Sequence, residues 1–296
     1  MRLRAAITAL ACLLASPAAG ADPQMGPAAR VVSLDYCADA YLLALAAPGA
    51  IAALSPDADA PYSYIRDRAN AFPQHGGSAE EILTLAPDLV LRSGVADRRL
   101  DGFLERQAIP TASLGYAQSL ADARQALRSA GAALGREARA DQLLAEMDRR
   151  QARLAERVAA LDALGPRPTA LYVTPSGITT GSGTYIDEAF GMAGIVNLLG
   201  SEGVEGFSLL TVEDLATRRP DLMVASFFDS RRGWRADWRF AQHPVAARAM
   251  GRAARVAVPA RQWGCAGYYL LDAVESLIDG RADWQRERLL QARATP

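Results

Sequence analysis

The sequence predicts an α/β protein of two lobes with mainly parallel sheets, joined by one long α-helix. Three observations carry that reading. Short apolar runs alternate with helical patterns near both ends of the chain, and such alternation builds parallel sheets. Between them, residues 119–164 hold no strand signal and repeat apolar residues at helical spacing. The segment EEILTLAPDLV at Glu80–Val90 returns as VEDLATRRPDLMV at Val212–Val224, with Glu80 seven residues before Pro87 and Glu213 seven before Pro220. The copies stand almost half a chain apart, which suits two related halves rather than a short-period solenoid.

The elements follow in order. Arg30–Leu34 reads as a first strand leading into a helix around Tyr41–Leu45, and Ala50–Leu54 as a second short strand. The Glu80–Leu85 helix precedes a strand at Asp88–Leu91, and a helix near Arg98–Arg106 leads to the strand Pro110–Leu114. Gly131 and Gly135 break the central stretch into a shorter helix and a long one from Glu137 to Leu164, which Gly165-Pro166 ends. The long helix carries Arg139, Asp141, Glu146, Arg149, Arg150, Arg153, Glu156 and Arg157 opposite its apolar face, a pattern that predicts a solvated, salt-laced surface. The β-α pattern then restarts. Thr169–Val173 is a strand, Tyr185–Ala193 a helix, Val212–Thr217 a helix into the strand Leu222–Ala225, Arg255–Val258 a last strand and Gly267–Ile278 a last helix. The expected organisation is a signal peptide over residues 1–21, an N-terminal lobe over 22–118, a linking helical segment over 119–166 and a C-terminal lobe over 167–296.

Composition narrows the function. With 296 residues, half of them apolar, the chain can bury one large or two medium cores. The formal net charge of −1 gives no basic field for nucleic acid. Arg2 and Arg4, the apolar run Ala5–Ala15 and Ala19-Gly20-Ala21 read as a signal peptide cleaved near Ala21. The run is too short to span a bilayer, and Ala9-Leu10-Ala11 is a poor lead-in for a lipid-modified Cys12. The expected location is the periplasm. Cys37 and Cys265 remain after cleavage, in a compartment that permits a disulfide. They stand as a disulfide pair, two buried thiols or thiols that touch ligand.

The ordered set RVVSL, EEILTLAPDLV, the long helix, GSGTYIDEAFGMAGIVNLLG at Gly181–Gly200 and VEDLATRRPDLMV resembles the periplasmic substrate-binding proteins of ABC importers for ferric siderophores, haem and cobalamin. The resemblance covers nearly all of the chain after the signal peptide. It implies two α/β lobes bridged by a rigid helix, with the ligand between them. It also implies that Glu80 and Glu213, one on each lobe, dock onto arginines of a membrane permease. A carboxylate at an exposed helix start is favoured by the helix dipole and accepts a bidentate arginine. Ser78 and Thr211, each two residues earlier, read as helix caps, so the alternative is that both glutamates serve only as N-terminal helix residues.

Ligands of α/β folds bind past the carboxyl ends of the strands. The residues singled out there are Tyr36, Tyr62, Tyr64 and Arg92 in the first lobe, and Tyr185, Phe228, Arg231, Trp234 and Trp263 in the second. Aromatic rings stack on a large flat ligand and guanidinium pairs with its anionic oxygens. Arg92 stands out because LVLRS places a cation directly after a buried strand. A metal-chelate ligand, a ferric siderophore or cobalamin, fits this lining. Haem ranks behind, through an axial Tyr62, Tyr64 or His75. With only His75 and His243 in the sequence, a bare transition-metal site is disfavoured, and no resident cofactor is expected. The chain holds no G-x-S-x-G, H-E-x-x-H or phosphate-loop motif, so it does not read as an enzyme. An exported thiol oxidoreductase using Cys37 and Cys265 is the alternative of another class, weakened by the lack of C-x-x-C. The expected state is a monomer with a permease partner.

Overall fold

Two four-stranded parallel sheets are wound in the same order, one in each half of the chain. The computed structural model describes residues 29–94, 98–227 and 243–294. The proposed signal peptide and its cleavage site lie outside the described residues, as do Phe228, Arg231 and Trp234. No helix among the described residues is long and apolar enough to cross a membrane.

The first sheet holds β1 (Val31–Ser33), β2 (Ile51–Ala53), β3 (Leu89–Arg92) and β4 (Thr111–Ser113), in the order β2-β1-β3-β4. Its helices are α1 (Tyr36–Leu45), α2 (Arg66–Ala69), α3 (Ala79–Thr84) and α4 (Arg98–Arg106). Next come α5 (Leu120–Leu134) and α6 (Glu137–Asp162). The second half adds β5 (Thr169–Val173), β6 (Ile178–Thr180), α7 (Tyr185–Met192), β7 (Val196–Asn197), α8 (Leu198–Ser201), β8 (Phe207–Leu209), α9 (Val212–Thr217) and β9 (Leu222–Ser226). It ends with α10 (Pro244–Met250), β10 (Ala254–Val258), α11 (Ala260–Trp263) and α12 (Leu270–Ala294). The second sheet runs β10-β9-β5-β7, so in both sheets the first strand lies between the second and the third. All five residues of β9 are buried, as expected of a parallel strand covered on both faces. The antiparallel ribbon β6–β8 was not legible beforehand; its strands are three residues each and far apart in sequence.

The repeated Pro-Asp-Leu has a structural job in each lobe. The Asp88 carboxylate accepts the backbone N–H of Ala29 at 2.9 Å and of Arg30 at 3.1 Å, at the head of β1. Asp221 accepts the Thr169 N–H and hydroxyl, each at 2.9 Å, at the head of β5. Each Asp thus fixes where the neighbouring central strand begins.

Gly135, in the left-handed conformation, stops α5, and the Arg136 N–H reaches back to the Gly131 carbonyl at 2.7 Å. The following α6 has 26 residues, about 39 Å of rod at 1.5 Å per residue. It buries Leu144, Met147, Leu154 and Val158 on one face. Its polar face is not wholly solvated. Arg150 pairs with Asp272 and, at 2.6 Å, with Glu275; Arg157 reaches Asp279 at 2.5 Å. These partners sit on α12, which packs beside α6 and belongs to the second half. The rod is therefore riveted to the C-terminal lobe.

The lobes touch directly as well. Tyr64 of the first lobe stacks on Tyr269 with ring centroids 3.8 Å apart, and the Tyr268 hydroxyl donates to the Ala40 carbonyl at 3.3 Å. Arg261 pairs with Asp67 at 3.3 Å.

Asp39, in the first turn of α1, is fully buried. It accepts the Ser55 N–H at 3.0 Å and the Ser55 hydroxyl at 2.6 Å. Burial pushes its pKa up to about 7; the Ser55 bonds oppose the shift and Asp35 adds to it. A carboxyl raised in the folded state binds its proton more tightly there than in the unfolded chain. Its contribution to stability is therefore fully present below the unfolded pKa and lost as pH rises toward 7, at up to about 1.4 kcal/mol per pH unit. Asp39→Asn is expected to flatten this part of the stability profile in denaturant titrations at pH 5, 6, 7 and 8. An identical slope in the variant would remove Asp39 as its source.

Candidate functional site

The carboxyl ends of both sheets open onto one cleft of about 370 Å³. In the first lobe it is lined by Leu34 and Asp35 after β1, Tyr36, Cys37 and Tyr41 of α1, Ser93 after β3, and Leu114–Ala117 after β4. The second lobe contributes Tyr185, Phe227, Gly264 and Cys265. Asp57 and Ala126 complete the lining.

Asp35 organises the first wall. One carboxylate oxygen accepts the N–H groups of Cys37 at 3.1 Å and Ala38 at 2.9 Å, capping α1. The other accepts the Ser93 N–H at 2.8 Å, tying that cap to the end of β3. Tyr36 and Cys37 are thereby held in the first helical turn, at the cleft. Across from them, the Thr184 hydroxyl accepts the Asp187 N–H at 3.1 Å and starts α7, which places Tyr185 at the cleft.

The lining is phenolic. Burial, then Tyr62, Asp35, Tyr116 and Asp57, push the Tyr36 pKa up to about 12. Burial raises the Tyr185 phenol too, with added contributions from Tyr116 and Tyr36. At neutral pH the phenols of Tyr36 and Tyr185 are therefore uncharged hydrogen-bond donors. Among the described residues no group of three or more His, Cys, Asp or Glu side chains could hold a metal ion.

Of the three readings of the cysteines, the structure has the disulfide. Cys37 and Cys265 are bonded, with Cα atoms 5.7 Å apart, and the bridge lines the cleft. Gly264, the residue before Cys265, packs close to the first lobe. A Cβ there would lie 3.3 Å from the Tyr62 carbonyl oxygen and 3.5 Å from the Tyr36 ring.

Several residues singled out from the sequence lie elsewhere. Tyr62 sits behind the lining, edge-on to Tyr36 at 5.0 Å. Tyr64 belongs to the interlobe stack, and the stacking surface it offers is used by Tyr269. Arg92 does not line the cleft; its guanidinium turns back to Asp101 of α4 at 3.0 Å. Trp263 is fully buried and packs edge-on to Tyr172 at 5.9 Å, because the chain turns inward after β10. His75 is buried, with Nδ1 accepting the Gly77 N–H at 3.0 Å and Nε2 donating to the Ser33 carbonyl at 2.9 Å. Both ring nitrogens are occupied. The sequence reading missed Tyr41, which lies one turn after Cys37 on the same face of α1, and Phe227, directly after β9.

Glu80 and Glu213 are both exposed, each the second residue of a six-residue helix, α3 or α9. In both helices a capping box is closed by the next residue, Glu81 with Ser78 and Asp214 with Thr211. Thr84 and Thr217 then donate to the backbone carbonyls of Glu80 and Glu213, at 2.9 and 3.0 Å. The two sites share one arrangement, with Ser78 and Glu81 at the first replaced by Thr211 and Asp214 at the second, and capping is done by these neighbours.

Residues 31–249 match the family model described as periplasmic binding protein. None of the curated protein sequences compared matches this chain. Solved structures share the fold at low identity. A periplasmic heme binding protein from Pseudomonas aeruginosa is 21% identical, with 88% of this chain and 93% of that one covered and a TM-score of 0.66. The periplasmic vitamin B12 binding protein of Vibrio cholerae is 20% identical, with 88% and 98% covered and a TM-score of 0.62. A structure of an ABC-type Fe3+-hydroxamate transport system from Saccharomonospora viridis is 20% identical, with 86% and 93% covered and a TM-score of 0.63.

Proposed function

The chain belongs to the periplasmic binding protein family, and from that membership we propose that it captures a metal-chelate ligand, a ferric siderophore or cobalamin, and delivers it to an ABC importer permease. The precursor is exported, loses its first 21 residues and works in the periplasm as a monomer. It performs no chemistry on the ligand. The observation that carries this reading is the cleft itself, walled by rings from both lobes at the carboxyl ends of two parallel sheets. Tyr36 and Tyr185 are the ligand contacts, offering flat apolar faces and hydroxyl donors. Glu80 and Glu213 are the permease contacts.

Haem is the second reading. Tyr36, Tyr116 and Tyr185 converge on one cleft, and tyrosine is a known axial ligand of ferric haem; iron bound at Tyr36 or Tyr185 would have to displace a phenolic proton that burial holds in place.

The test is a titration of the purified protein with cyanocobalamin, ferrichrome and hemin, followed by tryptophan fluorescence and the visible bands of each probe. One of the three is expected to bind at micromolar concentration or below. Tyr36→Ala and Tyr185→Ala are each expected to weaken that probe by roughly tenfold, the scale of an aromatic anchor worth more than ~1 kcal/mol. Failure of all three to bind would count against a metal-chelate ligand.

A further inference from the structure

The disulfide occupies an unusual place for a structural bridge. It joins α1 of the first lobe to the turn after α11 of the second, 228 residues away in sequence. Both cysteines are partly exposed, and both line the cleft. The bond is therefore open to a small molecule that enters where the ligand does, rather than sealed in a core.

The turn that carries Cys265 is held in a conformation that its residues disfavour. Cys265 and Ala266 have φ of 64° and 44°, consecutive left-handed positions in residues that carry a Cβ. Such geometry persists where surrounding contacts over-determine it. Here the bridge is one constraint and Gly264 packing against Tyr62 and Tyr36 is another. The lobes do not depend on the bridge to stay together. Tyr64 stacks on Tyr269, Tyr268 bonds to Ala40 and Arg261 pairs with Asp67, all independent of the sulfurs.

From these placements we infer that Cys37–Cys265 is an exchangeable disulfide reached through the cleft, and that its reduction frees the 264–266 turn, loosening one wall of the ligand site while the lobes stay docked. The reductant is a dithiol. Its thiolate attacks one sulfur, forming a mixed disulfide and releasing the other cysteine as a thiolate. Its second thiol then attacks the mixed disulfide, frees the remaining cysteine and closes the reductant's own disulfide. The protein gains two electrons and two protons, and the dithiol loses them.

The experiment treats the full chain with dithiothreitol in native buffer, then alkylates with iodoacetamide and reads the Cys37 and Cys265 peptides by mass spectrometry. Both are expected to be alkylated while the far-ultraviolet circular dichroism of the reduced protein is unchanged. Alkylation that requires guanidinium would overturn exchange through the cleft. Hydrogen exchange then compares oxidised and reduced protein, which needs no variant to fold. Amides of residues 264–266 are expected to exchange at least tenfold faster after reduction, with those of α6 unchanged. Equal protection of the turn in both states would make the bridge a static staple and refute the switch. Cys37→Ser with Cys265→Ser is expected to reproduce the reduced pattern. Neither readout uses the transport ligand, so the outcome does not depend on the proposed function.

Discussion

Charge reversal at both acidic sites, Glu80→Arg with Glu213→Arg, is expected to abolish ligand uptake by cells while changing ligand affinity of the purified protein by less than twofold. The structure sharpens the choice between docking and capping. In α3 and α9 the capping box uses the third helical residue, Glu81 or Asp214, whose carboxylate returns to the cap residue's backbone N–H. The second residue is left with its carboxylate in solvent. Glu80 and Glu213 have no side-chain hydrogen bond or ion pair among the described residues, so a capping role alone does not explain a duplicated glutamate. An exposed carboxylate at a helix start is poised to take a bidentate arginine, and losing one buried charge pair at an interface costs about 2–5 kcal/mol. One reversal alone is expected to reduce uptake and two to stop it. The milder pair Glu80→Gln and Glu213→Gln keeps the hydrogen-bonding shape and is expected to retain partial uptake. Uptake that survives the double reversal would remove the docking role. Loss of ligand affinity would instead place these residues in the binding site.

The main elements could be read from the sequence because their signals are local. Val31-Val32 and Leu222–Ser226 are unbroken buried runs, α6 has a single apolar face, and Gly135 and Pro166 mark its ends. The acidic pair stood out because the same pattern of cap, glutamate and threonine recurs around each copy. The site was legible only where a residue directly follows a strand or opens a helix, as Tyr36, Cys37 and Tyr185 do. Arg92 also follows a strand, but its direction is set by Asp101, and sequence spacing does not reveal that α4 brings this carboxylate back over β3. Trp263 and Tyr64 fail for a similar reason. Each meets an aromatic residue far away in sequence: Trp263 meets Tyr172 within the second lobe's own core, and Tyr64 meets Tyr269 across the interface. Residues 228 positions apart could not be paired by spacing; the 5.7 Å between Cys37 and Cys265 Cα atoms required both lobes in place.

The junction that holds the rod to the second lobe gives the other large expected effect. Arg281 of α12 is fully buried. Its guanidinium donates to Asp162 at the end of α6 at 2.6 Å and to the Ala193 carbonyl just after α7 at 3.2 Å. One side chain therefore ties three helices. Gly194 is what lets it pass: a Cβ there would collide with the guanidinium, and the φ of 66° suits glycine besides. Arg281→Ala removes the tie and leaves a cavity, two effects that together cost on the order of 3–5 kcal/mol. At ~2–4 °C per kcal/mol for a chain of this size, the thermal midpoint is expected to fall by roughly 10 °C. Arg281→Met should cost clearly less. It fills most of the volume, and Asp162 is not stranded, since it keeps Arg167 at 2.7 Å and is partly exposed. The arginine's Nε has no hydrogen-bond partner among the described residues, so its replacement orphans nothing on that side. The ordering parent, Met, Ala in calorimetry is the expected result. An Ala variant that melts within a degree or two of the parent would mean that α6 is held to the second lobe by its Arg150 and Arg157 pairs and its apolar face alone.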